Sequence, residues 1–193
     1  MGIKPDHWIV RMAKEEGMIQ PFEESLLSIG TISYGPSSYG YDFRVDRHYK
    51  LFRQEDCSPL DPKNLSPDRF EDYQGDTCVI PPGSFVLAQS VEYFRIPRDI
   101  LTICTGKSTY ARCGILVNVT PFEPEWEGLV TMSISNTGPA PVRIYSGEGI
   151  AQLVFLCAEE TCSVSYRDRK GKYQAQRGIV LSQIKKGESE PGS

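Results

Sequence analysis

Residues 106–114 read Gly-Lys-Ser-Thr-Tyr-Ala-Arg-Cys-Gly, and residues 117–128 continue Val-Asn-Val-Thr-Pro-Phe-Glu-Pro-Glu-Trp-Glu-Gly. The cations Lys107 and Arg112 stand beside the hydroxyls Ser108 and Thr109, between two apolar strand-like runs, and an acidic turn follows. Charge and hydroxyls together suit a phosphorylated ligand such as a nucleotide. A short helical turn over 108–112, freed by Gly106 and stopped at Gly114, also offers backbone amides to an anion. Gly106-Lys107-Ser108 looks like the end of a P-loop, but that motif needs glycine at position 101, which is Leu101, and the P-loop reading fails. On these residues alone, a nucleotide site and an ordinary charged surface turn are equally good readings.

The elements that must hold these residues are mostly strands. Asp6 caps a predicted helix through Glu16, with Trp8, Ile9 and Met12 on one side and Gly17 as the stop. Beyond it, alternating or β-branched runs predict strands at 28–33, 41–45, 77–80, 85–90, 101–104, 115–120, 129–135, 142–145 and 150–155, divided by Gly, Pro and Asn turn signals. Short strands at this density predict a closed or sandwiched β architecture. In the strand over 129–135, Thr131, Ser133 and Ser135 share one face while Val130, Met132 and Ile134 share the other, so Ser133 lies on the polar face. Residues 54–76, acidic and proline-containing, read as a long surface excursion. Residues 1–185 read as a single domain, and 186–193 as a polar, frayed tail.

The whole-chain numbers narrow the function classes. With 193 residues, 39% hydrophobic and 24% charged, the chain reads as one folded domain rather than a disordered or fibrous one. No apolar run approaches the roughly 20 residues of a membrane span. The N-terminus carries no secretory signal pattern, and Asp6 stands where a myristoylation motif wants Ser or Thr, so a cytoplasmic location is expected. The cysteines at 57, 78, 104, 113, 157 and 162 are then expected to be reduced. Cys78, Cys104, Cys113 and Cys157, set in or beside apolar runs, read as small buried hydrophobes. No Cys-x-x-Cys pair occurs, and neither His7 nor His48 sits in a His-x-Glu setting, so a zinc deaminase centre has no ligands to build from. A net charge of −4 argues against general nucleic-acid binding. Cations cluster at Lys107 with Arg112, and again at Arg167, Arg169, Lys170, Lys172 and Arg177; the second run by itself reads as a solvated loop.

Nearly the whole chain, from Ile3 through Gly178, resembles the dCTP deaminases, trimeric relatives of the dUTPases. The resemblance is carried by Tyr-Gly-Pro-Ser-Ser-Tyr-Gly-Tyr-Asp at 34–42, Ile-Pro-Pro-Gly at 80–83, Tyr-Phe-Arg-Ile-Pro at 93–97, the run 106–114, Glu-Pro-Glu-Trp-Glu-Gly at 123–128, Ser135-Asn136, Gly-Glu-Gly-Ile-Ala-Gln at 147–152 and Lys-Tyr-Gln-Ala-Gln-Arg-Gly at 172–178. It implies a mainly β fold, a distorted double-stranded β-helix or jelly-roll-like barrel of the dUTPase type with short helices. It also implies a homotrimer with sites between subunits.

Carried over residue by residue, Ser108 and Thr109 match hydroxyls near the triphosphate and the reactive centre. Lys107 matches a phosphate cation, and Arg112 the arginine that orients the site. Backbone groups at Val117, Val119 and Thr120 would read the cytosine edge, with Glu123 among the substrate-binding positions. Tyr166, Lys172 and Gln176 match the segment that closes over base and triphosphate. Mg²⁺ would ride on the nucleotide's phosphates, with no metal site on the protein itself and no zinc. The implied reaction is attack of water on C4 of cytosine with loss of ammonia to give dUTP, for which the family uses a strand-borne glutamate as general base. Here that position is Ser133. Three readings stay open: a deaminase in which Glu123 or Glu125 supplies the missing carboxylate, a catalytically silent homologue that binds dCTP or dTTP, and a dUTPase-type pyrophosphatase or an enzyme on a modified cytosine nucleotide.

Overall fold

The computed structural model describes residues 2–53 and 58–184. In chain order its elements are β1 (Gly2–Ile3), α1 (Asp6–Glu16), β2 (Ile19–Gln20), β3 (Gly35–Ser37), β4 (Gly40–Phe52), β5 (Phe70–Gln74), β6 (Thr77–Ile80), β7 (Phe85–Arg95), β8 (Ile100–Gly106), α2 (Ser108–Ala111), β9 (Ile115–Asn118), β10 (Glu127–Asn136), β11 (Val142–Tyr145) and β12 (Gly149–Cys157). Every strand ladder is antiparallel.

The long strand β4 organises the curl. Its first residues, Tyr41–Arg44, pair with β12, whereas Tyr49–Leu51 pair with β7, with a register shift in between. One chain segment therefore belongs to two layers. On one side lie β3, β4, β12 and β8, with β1 on the end of β12; on the other, β5, β4, β7, β10 and β9 follow in order, with β2 on β7. Strands β6 and β11 form a separate pair. This is the predicted jelly-roll-like β barrel. Its core holds Tyr41, Phe43, Tyr49, Phe94, Phe155, Met132 and Ile134, each almost completely removed from water. An aromatic column, Phe43 to Phe94 to Phe122 to Trp126, runs outward from this core with centroid spacings of 5.7, 5.7 and 4.8 Å.

Several sequence expectations need correction. The helix α1 spans the expected residues and stops at Gly17 with φ 64°, but Pro5 holds the cap position and Asp6 is already helical, its carboxylate accepting the His7 amide at 2.7 Å. Residues 28–33 are not a strand. Leu27 and Tyr34 exchange backbone hydrogen bonds across them, which turns the segment into a loop, with Gly30 at φ 74° and Ile29 fully exposed. The excursion over 54–76 is not wholly irregular: β5 pairs with β4 because Phe70 packs against Phe52 and Phe85 at 5.9 and 6.1 Å. Long-range apolar contact overrides the weak local pattern there. The tail over 186–193 lies outside the described residues, as does Cys57. The other five cysteines are free thiols. Burial pushes the Cys78 thiol up to about 11 and that of Cys104 up to about 12, as expected of small buried hydrophobes, whereas Cys113 is exposed. Among the described residues no helix is long and apolar enough to cross a membrane.

Candidate active site

Burial alternates along β10 without a break: Val130, Met132 and Ile134 face the core, and Leu129, Thr131, Ser133 and Ser135 face outward, half-buried. A cleft of about 680 Å³ opens at the start of this strand, between the segment leaving β9 and the C-terminal segment. The predicted residues Val119, Thr120, Glu123, Tyr166, Lys172 and Gln176 all line it. So do Trp126, Thr131 and Tyr173, which sequence reasoning passed over. The aromatic column supplies Phe122 and Trp126 as an apolar wall tied directly to the core.

The C-terminal segment is stitched to the cleft by its backbone. Leu129 N donates to Gln176 O at 3.0 Å, and Ala175 N to Glu127 O at 2.9 Å. Trp126 Nε1 donates to Tyr173 O at 3.0 Å, and Tyr173 N to Tyr166 Oη at 3.1 Å. Gln176 Nε2 reaches Leu129 O at 2.5 Å, and Val180 N reaches Thr131 Oγ1 at 3.2 Å. Gly128 permits this close approach: its φ is 149°, and a Cβ there would sit 3.0 Å from Gln176 Cγ and 3.1 Å from Trp126 Cζ2.

The two turn acids occupy different surroundings. Glu123 lines the cleft and pairs with Arg169, whose guanidinium lies 5.2 Å from the Tyr166 ring centroid. Glu125, at φ 60°, faces Arg98 Nη1 at 2.6 Å and Arg167 Nη1 at 3.5 Å. A hydrogen bond from Ser165, then Arg98 and Arg167, holds its carboxyl below the usual range. Arg98 also bonds Asp168 at 2.8 Å. Glu125 is thus part of the clamp that fixes residues 162–168, and the depressed pKa makes it a poor proton acceptor.

The other predicted residues are not in the cleft lining. Ser108, Thr109 and Arg112 are exposed on and just after α2, where Arg112 Nη1 donates to Ser108 O at 2.8 Å. Lys107 turns inward, its ammonium 2.5 Å from Asp42 Oδ2. Val117 is buried in β9, paired with Ile134. Ser133 pairs with Asn118 of β9 and Leu87 of β7, one pleat beyond Thr131. β9 begins beside α2 and ends at the cleft, and its rise of roughly 3.3 Å per residue sets its two ends ~10 Å apart. The candidate residues of one chain therefore fall into two separate groups, the hydroxyl-bearing turn and the aromatic cleft.

The chain is similar to known proteins in sequence and in fold. A family model described as dCTP deaminase-like matches residues 3–157. A dCTP deaminase of Gemmatimonas aurantiaca is 59% identical over 184 residues, covering 95% of this chain and 100% of the relative. One of Paramagnetospirillum magneticum is 58% identical over 184 residues, with 95% and 100% covered. The crystal structure of 2'-deoxycytidine 5'-triphosphate deaminase from Agrobacterium tumefaciens is similar with a TM-score of 0.62 at 17% identity, covering 81% of this chain and 48% of that one. That likeness bears on the fold.

Proposed function

The chain belongs to the dCTP deaminase-like family, and from that membership we propose that it hydrolyses dCTP to dUTP and ammonia, in the supply of deoxyuridine and thymidine nucleotides. The observation that carries this reading is the cleft: six of the residues that the family resemblance assigns to substrate converge on its walls. A volume of about 680 Å³ falls in the range of small-molecule pockets. Backbone groups at Val119 and Thr120 read the edge of the cytosine, with Val117 behind them in β9, and Tyr166, Lys172 and Gln176 cover base and phosphates. Ser108, Thr109 and Arg112 serve the triphosphate and the reactive centre. They stand at the opposite end of β9, so a neighbouring copy must bring them to the cleft, and the active form is a homotrimer with its sites between subunits. Exposed Leu101, Ile103 and Leu116 on β8 and β9 supply apolar surface for that contact.

Among the described residues no three His, Cys, Asp or Glu groups gather as a metal site. Mg²⁺ arrives on the triphosphate's own oxygens, where it offsets their charge. The enzyme works where the deoxynucleotide pool is, in the cytoplasm. In the reaction, water adds to C4, its proton passes to a carboxylate, and the amine takes a proton as it leaves as ammonia. Ser133 cannot accept that proton at neutral pH. Glu123 is the turn acid that lines the cleft, paired there with the single cation Arg169, and we assign it the acceptor's part; Glu125 lies outside that lining and is held by both Arg98 and Arg167. The hydroxyl at 133 also favours a second reading, a homologue that binds dCTP or dTTP without turnover. Purified protein incubated with dCTP and Mg²⁺, with ammonia and pyrophosphate followed separately, decides between them. Ammonia release supports the deaminase, bound but unconverted dCTP the silent homologue, and pyrophosphate release without ammonia would overturn both.

A further inference from the structure

The ammonium of Lys107 donates to Asp42 Oδ2 at 2.5 Å and to Ser33 Oγ at 3.0 Å. The Lys107 and Asp42 side chains are 10% and 8% exposed. The other Asp42 oxygen accepts from Gln152 Nε2 at 3.1 Å, and the same amide donates to Ser37 Oγ at 3.1 Å. Register explains why these groups meet: Gln152 of β12 is flanked by Asp42 of β4 and Thr105 of β8, so the chain leaving β8 passes over the carboxylate. Ser33 is held there by its own loop, whose Ile32 accepts from Gly149 N at 3.0 Å and donates to Glu148 Oε2 at 2.7 Å. A second tether lies within α2, where buried Tyr110 accepts the Tyr145 amide at 3.0 Å. Exposed Ser108 and Thr109 stand between the two tethers, with Arg112 directly after them.

We propose that Asp42 is a positioning residue: its buried carboxylate holds Lys107 and, through it, the start of α2, so that Ser108, Thr109 and Arg112 face outward in a fixed arrangement. The charge of Lys107 is neutralised within the chain instead of being offered to a triphosphate. A phosphate oxygen would have to displace a carboxylate already at hydrogen-bonding distance, and would leave Asp42 buried without its counter-ion. The phosphate charge then falls to Arg112, Lys172 and the ion carried by the nucleotide. The binding arm of the test below rests on the dCTP reading; the exchange arm does not.

The test compares Asp42→Asn, Lys107→Met and the neutral pair Asp42→Asn with Lys107→Gln, all in the full chain. Amide exchange is followed at residues 111–114, and binding of dCTP with Mg²⁺ at two salt concentrations. Each single variant is expected to speed exchange at Ala111 and Arg112 by about tenfold while β10 amides stay protected. Each is also expected to weaken dCTP binding without altering its salt dependence. The neutral pair, which keeps the hydrogen bond without the charges, is expected to recover both. Tighter dCTP binding by Asp42→Asn would overturn the proposal, because it would mean that Asp42 withholds a phosphate-binding lysine. So would unchanged exchange, or a neutral pair that recovers protection but not affinity. If Asp42→Asn does not fold, the neutral pair and Lys107→Met still decide. If the unaltered protein binds no dCTP, the functional reading fails while the exchange comparison still tests the role of Asp42.

Discussion

A carboxylate takes a proton from water at neutral pH, and an aliphatic hydroxyl does not. Position 133, where the family resemblance implies a glutamate, is therefore the first residue at which to test the proposed reaction. Ser133 sits on the outward face of β10 opposite Asn118, so a longer acidic side chain there projects out of the core. Ser133→Glu is expected to raise dCTP deamination by roughly 10²–10⁴-fold, the usual worth of a positioned general base. An ammonia assay checks it, and no gain in a folded protein that still binds dCTP would count against the lost-base account. The two turn acids give a paired expectation: Glu123→Gln abolishes residual deamination, whereas Glu125→Gln leaves the chemical step in place and loosens the arginine clamp. Measuring kcat for both variants separates them, and equal losses would refute the assignment. The face of Ser133 was legible because strand periodicity is local. The engagement of Glu125 was not, because Arg98 and Arg167 reach it from distant parts of the chain.

The C-terminal segment closes the cleft as an element without regular secondary structure, held by backbone bonds and by acids at its base. Asp168 is held down to about 2, first by the Ser165 amide and then by Arg98, and Glu125 is likewise below its ordinary value. Both carboxyls bind protons less readily in the docked segment than when it is free. Their contribution is therefore full above the ordinary values of 3.8 and 4.5 and disappears as the pH falls through the lowered ones. Asp168 is exposed and Glu125 only half-buried, so the effect is modest. The segment is expected to loosen progressively between about pH 4 and about pH 2, seen as a change in Trp126 fluorescence as its bond to Tyr173 is lost. A variant with Arg98→Ala should show the loosened signal already at neutral pH, and an identical profile in both proteins would disprove the link. Strands β6 and β11 matched their sequence limits because each is bounded by turn residues. The strand β5 and the loop over 28–33 were misread because the partner strand, or its absence, decided them.

At the scale of the whole molecule, the cleft and the hydroxyl-bearing turn are separated by the length of β9. Leu116, 58% exposed, and Ile103, 48% exposed, lie on the strands that join them. Burying both against a second copy would remove this apolar surface from water and complete the site in one step. Leu116→Asp is expected to shift the protein from a particle of three times the chain mass to a monomer, seen by sedimentation velocity. The circular dichroism of the variant should be unchanged and its dCTP binding lost. A monomeric variant that binds dCTP normally would show that one chain holds a complete site.

The sequence alone determined the β class, the end of α1 at Gly17, the polar face of β10 and, through ordered motifs spread over most of its length, the family. Each of these depends on neighbours a few residues apart or on residue identity. Tertiary structure decided which of the candidate residues meet. It drew Gln176 and Tyr166 to the cleft, gave Glu125 to a clamp, turned Lys107 inward to Asp42 and left α2 at the far end of β9. Those outcomes depend on strand register and on charges brought together from remote segments. In a barrel of antiparallel strands, that register is set by burial over the whole sheet rather than by any local pattern.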